Sequence, residues 1–164
     1  MNDFYFWVEG LWLSTFVRES NTIWGFPMFL FMHTLGLSIV AGGSTVISFA
    51  LLGVWPQGAR VSPLERLYPL IWVGFWINLF TGVGLLMADM QVRANNPDFW
   101  IKIALVIAGV VLLVRIRRQI LRNPQVDTVR PPASRMLAWA SLFCWFGAIV
   151  AGRLIAYVGP SVGL

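Results

Sequence analysis

Apolar residues run in long blocks along this chain, and charged residues fall between the blocks. From Asn21 to Ala59 there is no Asp, Glu, Lys or Arg. That block predicts a first membrane-spanning helix over about 24–54. It is long for a hydrocarbon core that about 20 residues cross. Further blocks predict spans over about 67–88, 99–114 and 136–158. Pro27 and Pro69 fall in first turns, where proline is tolerated. Trp55-Pro56-Gln57-Gly58 and Gly159-Pro160 read as stops. Asn95-Asn96-Pro97 punctuates the polar connection between spans two and three, and Arg130-Pro131-Pro132 predicts an extended end to the loop between spans three and four. Ahead of the spans, Phe4, Trp7, Val8, Leu11, Trp12 and Thr15 recur at helical spacing. They predict one amphipathic helix over about 3–17, lying in the interface with its indoles at headgroup level. No repeat or soluble domain interrupts 1–164. The expectation is all-α: a single membrane domain, an integral membrane four-helix bundle with an N-terminal amphipathic interfacial helix.

Composition strengthens this. Hydrophobic residues make up 58% and charged residues 12% of the 164, against about 45–50% and about 25% in soluble domains. So few charges cannot cover a water-facing surface, and the spans leave little chain for a large catalytic domain. One cysteine, Cys144, excludes an intrachain disulfide and a Cys cluster for zinc or iron–sulfur. It reads as a small buried hydrophobe.

The net charge of +5 does not indicate nucleic acid, because no folded platform presents the basic residues. Arg115, Arg117, Arg118, Arg122, Arg130 and Arg135 gather between spans three and four, and Arg60 and Arg66 lie between spans one and two. The opposite side has Arg18, Arg93, Lys102 and Arg153. The positive-inside rule puts the arginine-rich side in the cytoplasm, where it also suits anionic headgroups. Both termini then face outside, the periplasm if this is a bacterial inner membrane.

His33, Asp89, Lys102 and Arg153 therefore share the outer half of the bundle. Ionisable residues within spans are costly and count as functional candidates. His33, the only histidine, lies about 14 Å into its span at 1.5 Å per residue. One neutral imidazole can be an axial haem ligand, and Lys102 and Arg153 are placed to pair with propionates. A b-type haem at His33, serving electron transfer, is one expectation. Its second axial ligand would be Met28, Met32, Met87 or Met90, a symmetry-related His33, or none. The plainer alternatives are a histidine bonded to a backbone carbonyl, a hydroxyl or Asp89, and basic residues that snorkel outward. Asp89 and Arg18 are further ion-pair or ligand candidates, whereas Arg18-Glu19 and Glu65-Arg66 also read as ordinary solvated ends. Gly36, Gly42, Gly43, Thr81 and Gly82 predict close helix packing. Six scattered methionines form no Cu(I) pattern. No catalytic set or phosphate loop can be assembled, so intrinsic catalysis is not expected.

Arg18-Glu19-Ser20, Pro27, His33-Thr34-Leu35-Gly36, Leu51-Leu52-Gly53, Thr81-Gly82, Asn96-Pro97-Asp98-Phe99 with Lys102, and Ala151-Gly152-Arg153-Leu154-Ile155-Ala156-Tyr157 occur in this order. Together they resemble a family of bacterial four-helix inner-membrane proteins of unknown function, and more distantly the copper-resistance CopD-type membrane domain. The resemblance implies a compact four-helix fold and singles out His33, Lys102 and Arg153. The methionine pattern departs from that of a copper transporter. The expected role is a non-catalytic membrane subunit or anchor, assembling with itself or with a larger membrane complex. The competing expectation is an oligomeric transport protein for small solutes or metal ions that uses the outer polar pocket.

Overall fold

The computed structural model describes residues 2–54, 60–123, 127 and 133–157. The stops expected at 55–58 and 159–160 and the extended 130–132 segment lie outside the described residues. Helices α1 (Asn2–Glu9), α2 (Trp12–Glu19), α3 (Phe26–Leu52), α4 (Tyr68–Ala88), α5 (Met90–Ala94), α6 (Pro97–Ile116) and α7 (Ala133–Tyr157) follow in order. No strand occurs among the described residues. Four helical stretches are long and apolar enough to cross a membrane: Phe26–Leu52, Ser62–Ala88, Pro97–Leu121 and Ala133–Ile155.

Local chemistry sets the ends. Pro27 occupies the first turn of α3, where its missing N–H removes no helical bond. Gly53, at φ 91°, closes α3 in the left-handed conformation, with its N–H on the Ala50 and Phe49 carbonyls; a side chain there would be strained. A 3₁₀ turn, Ser62–Leu67, leads directly into α4. The Asp127 carboxylate holds the start of that turn. It accepts the Val61 and Ser62 backbone N–H groups at 2.7 and 3.1 Å and the Ser62 hydroxyl at 2.6 Å. The Asn96 side chain caps α6 by accepting the Asp98 N–H at 2.8 Å.

Two elements differ from expectation. The single N-terminal helix is two helices, broken at Gly10-Leu11. Leu11 is extended, and the Glu9 side chain leaves its own helix to accept the Gln91 N–H at 2.8 Å. Val8, Ser14 and Val17 are buried, whereas Trp7 and Trp12 are exposed. The Ser14 hydroxyl donates to the Met87 carbonyl at 2.7 Å, tying α2 to the end of α4. The third span is longer than 99–114. It begins at Pro97 and passes through Arg115 into a π-helical turn, Arg117–Leu121, with Ile116, Ile120 and Leu121 buried. An arginine at the membrane edge does not end a helix, because its stem lies along apolar surface.

The spans pack as α4 on α3, α3 on α7 and α7 on α6; the α4–α6 side has no comparably extensive contact. Small groups fill the contacts. Gly36 and Gly74 bring α3 and α4 so close that a Cβ on Gly36 would stand 2.7 Å from Asn78 N and from Gly74 O. Ser44 on α3 and Ser141 on α7 share a buried hydroxyl hydrogen bond of 3.0 Å. Large apolar groups such as Phe80, Phe143 and Phe146 point outward. Small residues inside and aromatic residues outside suit helices solvated by lipid, where close packing and interhelical hydrogen bonds hold the bundle together.

Candidate functional site

The only histidine and the only lysine of the chain meet. Lys102 Nζ lies 3.4 Å from His33 Nε2, joining α6 to α3. On its other side His33 Nδ1 lies 3.0 Å from the Asn78 carbonyl oxygen of α4. A carbonyl only accepts, so Nδ1 carries hydrogen and donates, and Nε2 presents its lone pair to the Lys102 ammonium. Asn78 reciprocates, its side-chain Nδ2 donating to the His33 carbonyl at 2.8 Å. The Thr81 hydroxyl, bonded to the Ile77 carbonyl at 2.6 Å, stands 3.3 Å from Nδ1. The imidazole is thus fixed in ring plane and tautomer by α4.

Two glycines make the room. A Cβ on Gly82 would be 2.9 Å from His33 Cε1, and one on Gly152 would be 3.4 Å from Lys102 Nζ. Lys102 has no carboxylate within ion-pair distance among the described residues. Arg93, near the same end of the bundle, is itself paired with Asp89.

The other expected residues lie apart. Arg153 is exposed, with no hydrogen-bond or ion-pair partner among the described residues. Neighbours on a helix point about 100° apart, and here Gly152 faces Lys102 while Arg153 faces away. Asp89 pairs with Arg93 at 3.6 Å; burial pushes its carboxyl up, with Arg93 opposing. Arg18 pairs with Glu19 at 3.0 Å and Glu9 at 3.9 Å. Gly43 packs on Ile71, as expected of a contact glycine. A Cβ on Gly42 would meet nothing within 4 Å, so this residue faces outward and is no packing glycine. Thr81 belongs to the histidine cluster more than to a helix contact.

Asn78, Gly152 and Arg93 were not singled out by sequence. Asn78 had a signal, as the single uncharged amide in an otherwise apolar span. Glu65, read as a solvated end, instead accepts from Arg117 Nε at 3.1 Å and Arg122 Nε at 2.9 Å on the same oxygen. Nearby, Arg117 lies over the Tyr68 ring at 5.1 Å to the centroid, and the buried Tyr68 hydroxyl donates to the Leu113 carbonyl of α6 at 2.9 Å.

The residues around His33 do not fit a haem as they stand. The Nε2 lone pair that would bind iron is occupied by the Lys102 ammonium. Among the described residues no three His, Cys, Asp or Glu side chains gather into a metal site.

No curated protein and no solved structure matches the chain. A family does match, over residues 4–158, nearly the whole length. The chain therefore belongs to the Family of unknown function (DUF6644).

Proposed function

We propose that this chain is a membrane subunit that receives an acidic group at its outer-half His33–Lys102 cluster, acting as a binding or anchoring component of an assembly. The observation that carries this reading is the partner of Lys102. Its ammonium, set among spanning helices, meets a neutral imidazole nitrogen where a carboxylate would be expected. A charge in such a place is costly unless paired. An ammonium has three donors, and His33 takes one of them. A carboxylate or phosphate oxygen can take another and supply the missing charge. The Lys102 ammonium on the histidine lone pair disfavours a metal-ion cargo, copper included. The electron-transfer version with haem requires Lys102 to leave His33, and a Soret band in the purified protein would restore it. By the arginine distribution, the cluster opens to the periplasmic side of a bacterial inner membrane.

The test uses the uniqueness of the two residues. Full-length chain labelled with ¹⁵N-lysine and ¹⁵N-histidine, in bilayer discs of zwitterionic lipid, gives the side-chain signals of one lysine and of one histidine. Titration with acetate, inorganic phosphate and longer-chain carboxylates is expected to shift both signals saturably. Lys102→Gln is expected to abolish the histidine shift. Signals unmoved by every acid overturn the proposal.

A further inference from the structure

We infer that the exposed face of α6 and its π turn is a binding site for one acidic phospholipid of the adjoining leaflet, with Arg115, Arg118 and Arg122 on its phosphate. The inference goes beyond the proposed function and does not rest on it, because this site lies at the opposite end of the bundle from His33 and Lys102.

The face is continuous. Residues three and four apart are neighbours on a helix. Ala104, Ile107, Val111, Arg115, Arg118 and Arg122 follow one another at those spacings, and every one is exposed. Leu113, Ile116, Ile120 and Leu121 take the other side of the same stretch and are buried. The exposed face thus changes from apolar to cationic at one level, and Arg115 marks it. The hydrocarbon of one leaflet is about 15 Å deep, about ten residues of helix at 1.5 Å each. A lipid with its phosphate at the arginines therefore lays its acyl chains along Val111, Ile107 and Ala104. No cavity is required, since a lipid-facing helix surface already carries chains at that depth.

Charge decides the headgroup. The sequence supplies this end of the bundle with two carboxylates, Glu65 and Asp127. Asp127 is taken up by Val61 and Ser62. Glu65 accepts from Arg117 and Arg122 on one oxygen, a single negative charge against two positive ones. Arg122 is held there by its Nε, so both of its terminal amino groups stay free for another acceptor. Arg115 and Arg118 have no hydrogen-bond or ion-pair partner among the described residues. All eight basic residues on this side are arginine. Lysine satisfies the positive-inside rule equally well. The planar guanidinium fork is what matches two oxygens of a phosphate.

The probe is phosphatidylglycerol, titrated onto the full-length chain in mild detergent and followed by native mass spectrometry. One lipid per chain is expected to bind saturably, and phosphatidylcholine to bind far more weakly. Arg115→Gln combined with Arg118→Gln is expected to weaken phosphatidylglycerol about tenfold or more, as two arginines near a headgroup are lost. Arg66→Gln combined with Arg135→Gln removes the same charge from exposed positions at the same end, and is expected to leave the affinity nearly unchanged. Equal losses in the two double variants would reduce the site to diffuse positive charge and overturn the inference. So would phosphatidylcholine bound as tightly as phosphatidylglycerol, which makes the charge irrelevant. Glycerol 3-phosphate displacing the lipid at equal concentration would overturn it too, because the acyl chains would then add nothing. The last two comparisons use the parent protein and decide the matter even if a variant fails to fold.

Discussion

His33 is held by groups that leave it no freedom. The Asn78 carbonyl takes the Nδ1 proton, Lys102 takes the Nε2 lone pair, and Gly82 supports the ring edge. A methyl group at Gly82 must push the imidazole, because the 2.9 Å approach to Cε1 is shorter than real Cβ contacts allow. Gly82→Ala is therefore expected to shift the ¹⁵N-histidine signal and to cost about 1–3 kcal/mol of stability, the usual range for overpacking. Thermal unfolding in detergent checks the second figure. An unchanged histidine signal would show that Gly82 does not position the ring.

Helices α3 and α4 meet through backbone. At Gly36 a Cβ would confront Asn78 N and Gly74 O, neither of which can swing aside. Gly36→Ala is expected to lower the unfolding temperature and to loosen the Asn78–His33 pair with it. Gly42→Ala, on the open face of the same helix, is expected to be neutral or to stabilise by up to about 1 kcal/mol through helix propensity. This contrast also shows what the sequence could carry. The four spans and the two rare residues were legible, because apolar runs and lone ionisable groups are one-dimensional signals. Which of Gly42 and Gly43 packs, and whether Gly152 or Arg153 meets Lys102, depends on helix rotation. Rotation is decided by neighbours that the sequence does not identify. The same holds for Glu65. In an α-helix, residues five apart point about 140° from each other, so Arg117 and Arg122 would not converge. The π turn, with Arg122 N–H bonded to the Arg117 carbonyl, stacks them over one carboxylate oxygen. At this end Asp127 joins the loop to the start of the 3₁₀ turn. Its hydrogen bonds from Ser62 and Val61 hold its carboxyl below the usual aspartate value. A depressed folded-state value means that the contribution to stability is full above the unfolded value. It is lost as pH falls through the folded one. Stability should thus decline on acidification below about pH 4, and Asp127→Asn should reduce that slope. Unfolding temperatures across that range for both proteins give the comparison.

Across the whole molecule, Tyr68 is the group that spans the loosely packed side. Its hydroxyl reaches the Leu113 carbonyl from a fully enclosed position. Tyr68→Phe is expected to cost about 1 kcal/mol. It should also broaden the distance distribution between spin labels at Val73 on α4 and Val111 on α6, both exposed positions. A distribution as narrow as in the parent protein would mean that α4 and α6 are held together by something else. The close Gly36–Gly74 contact has a last consequence. It makes the first pair of spans a stiff board, and α7 against α6 forms the other, with α3 and α7 as the spine of a book. Only the fore-edge can part without breaking a tightly packed joint. That edge is latched by the Tyr68–Leu113 hydrogen bond, with no extensive helix contact behind it.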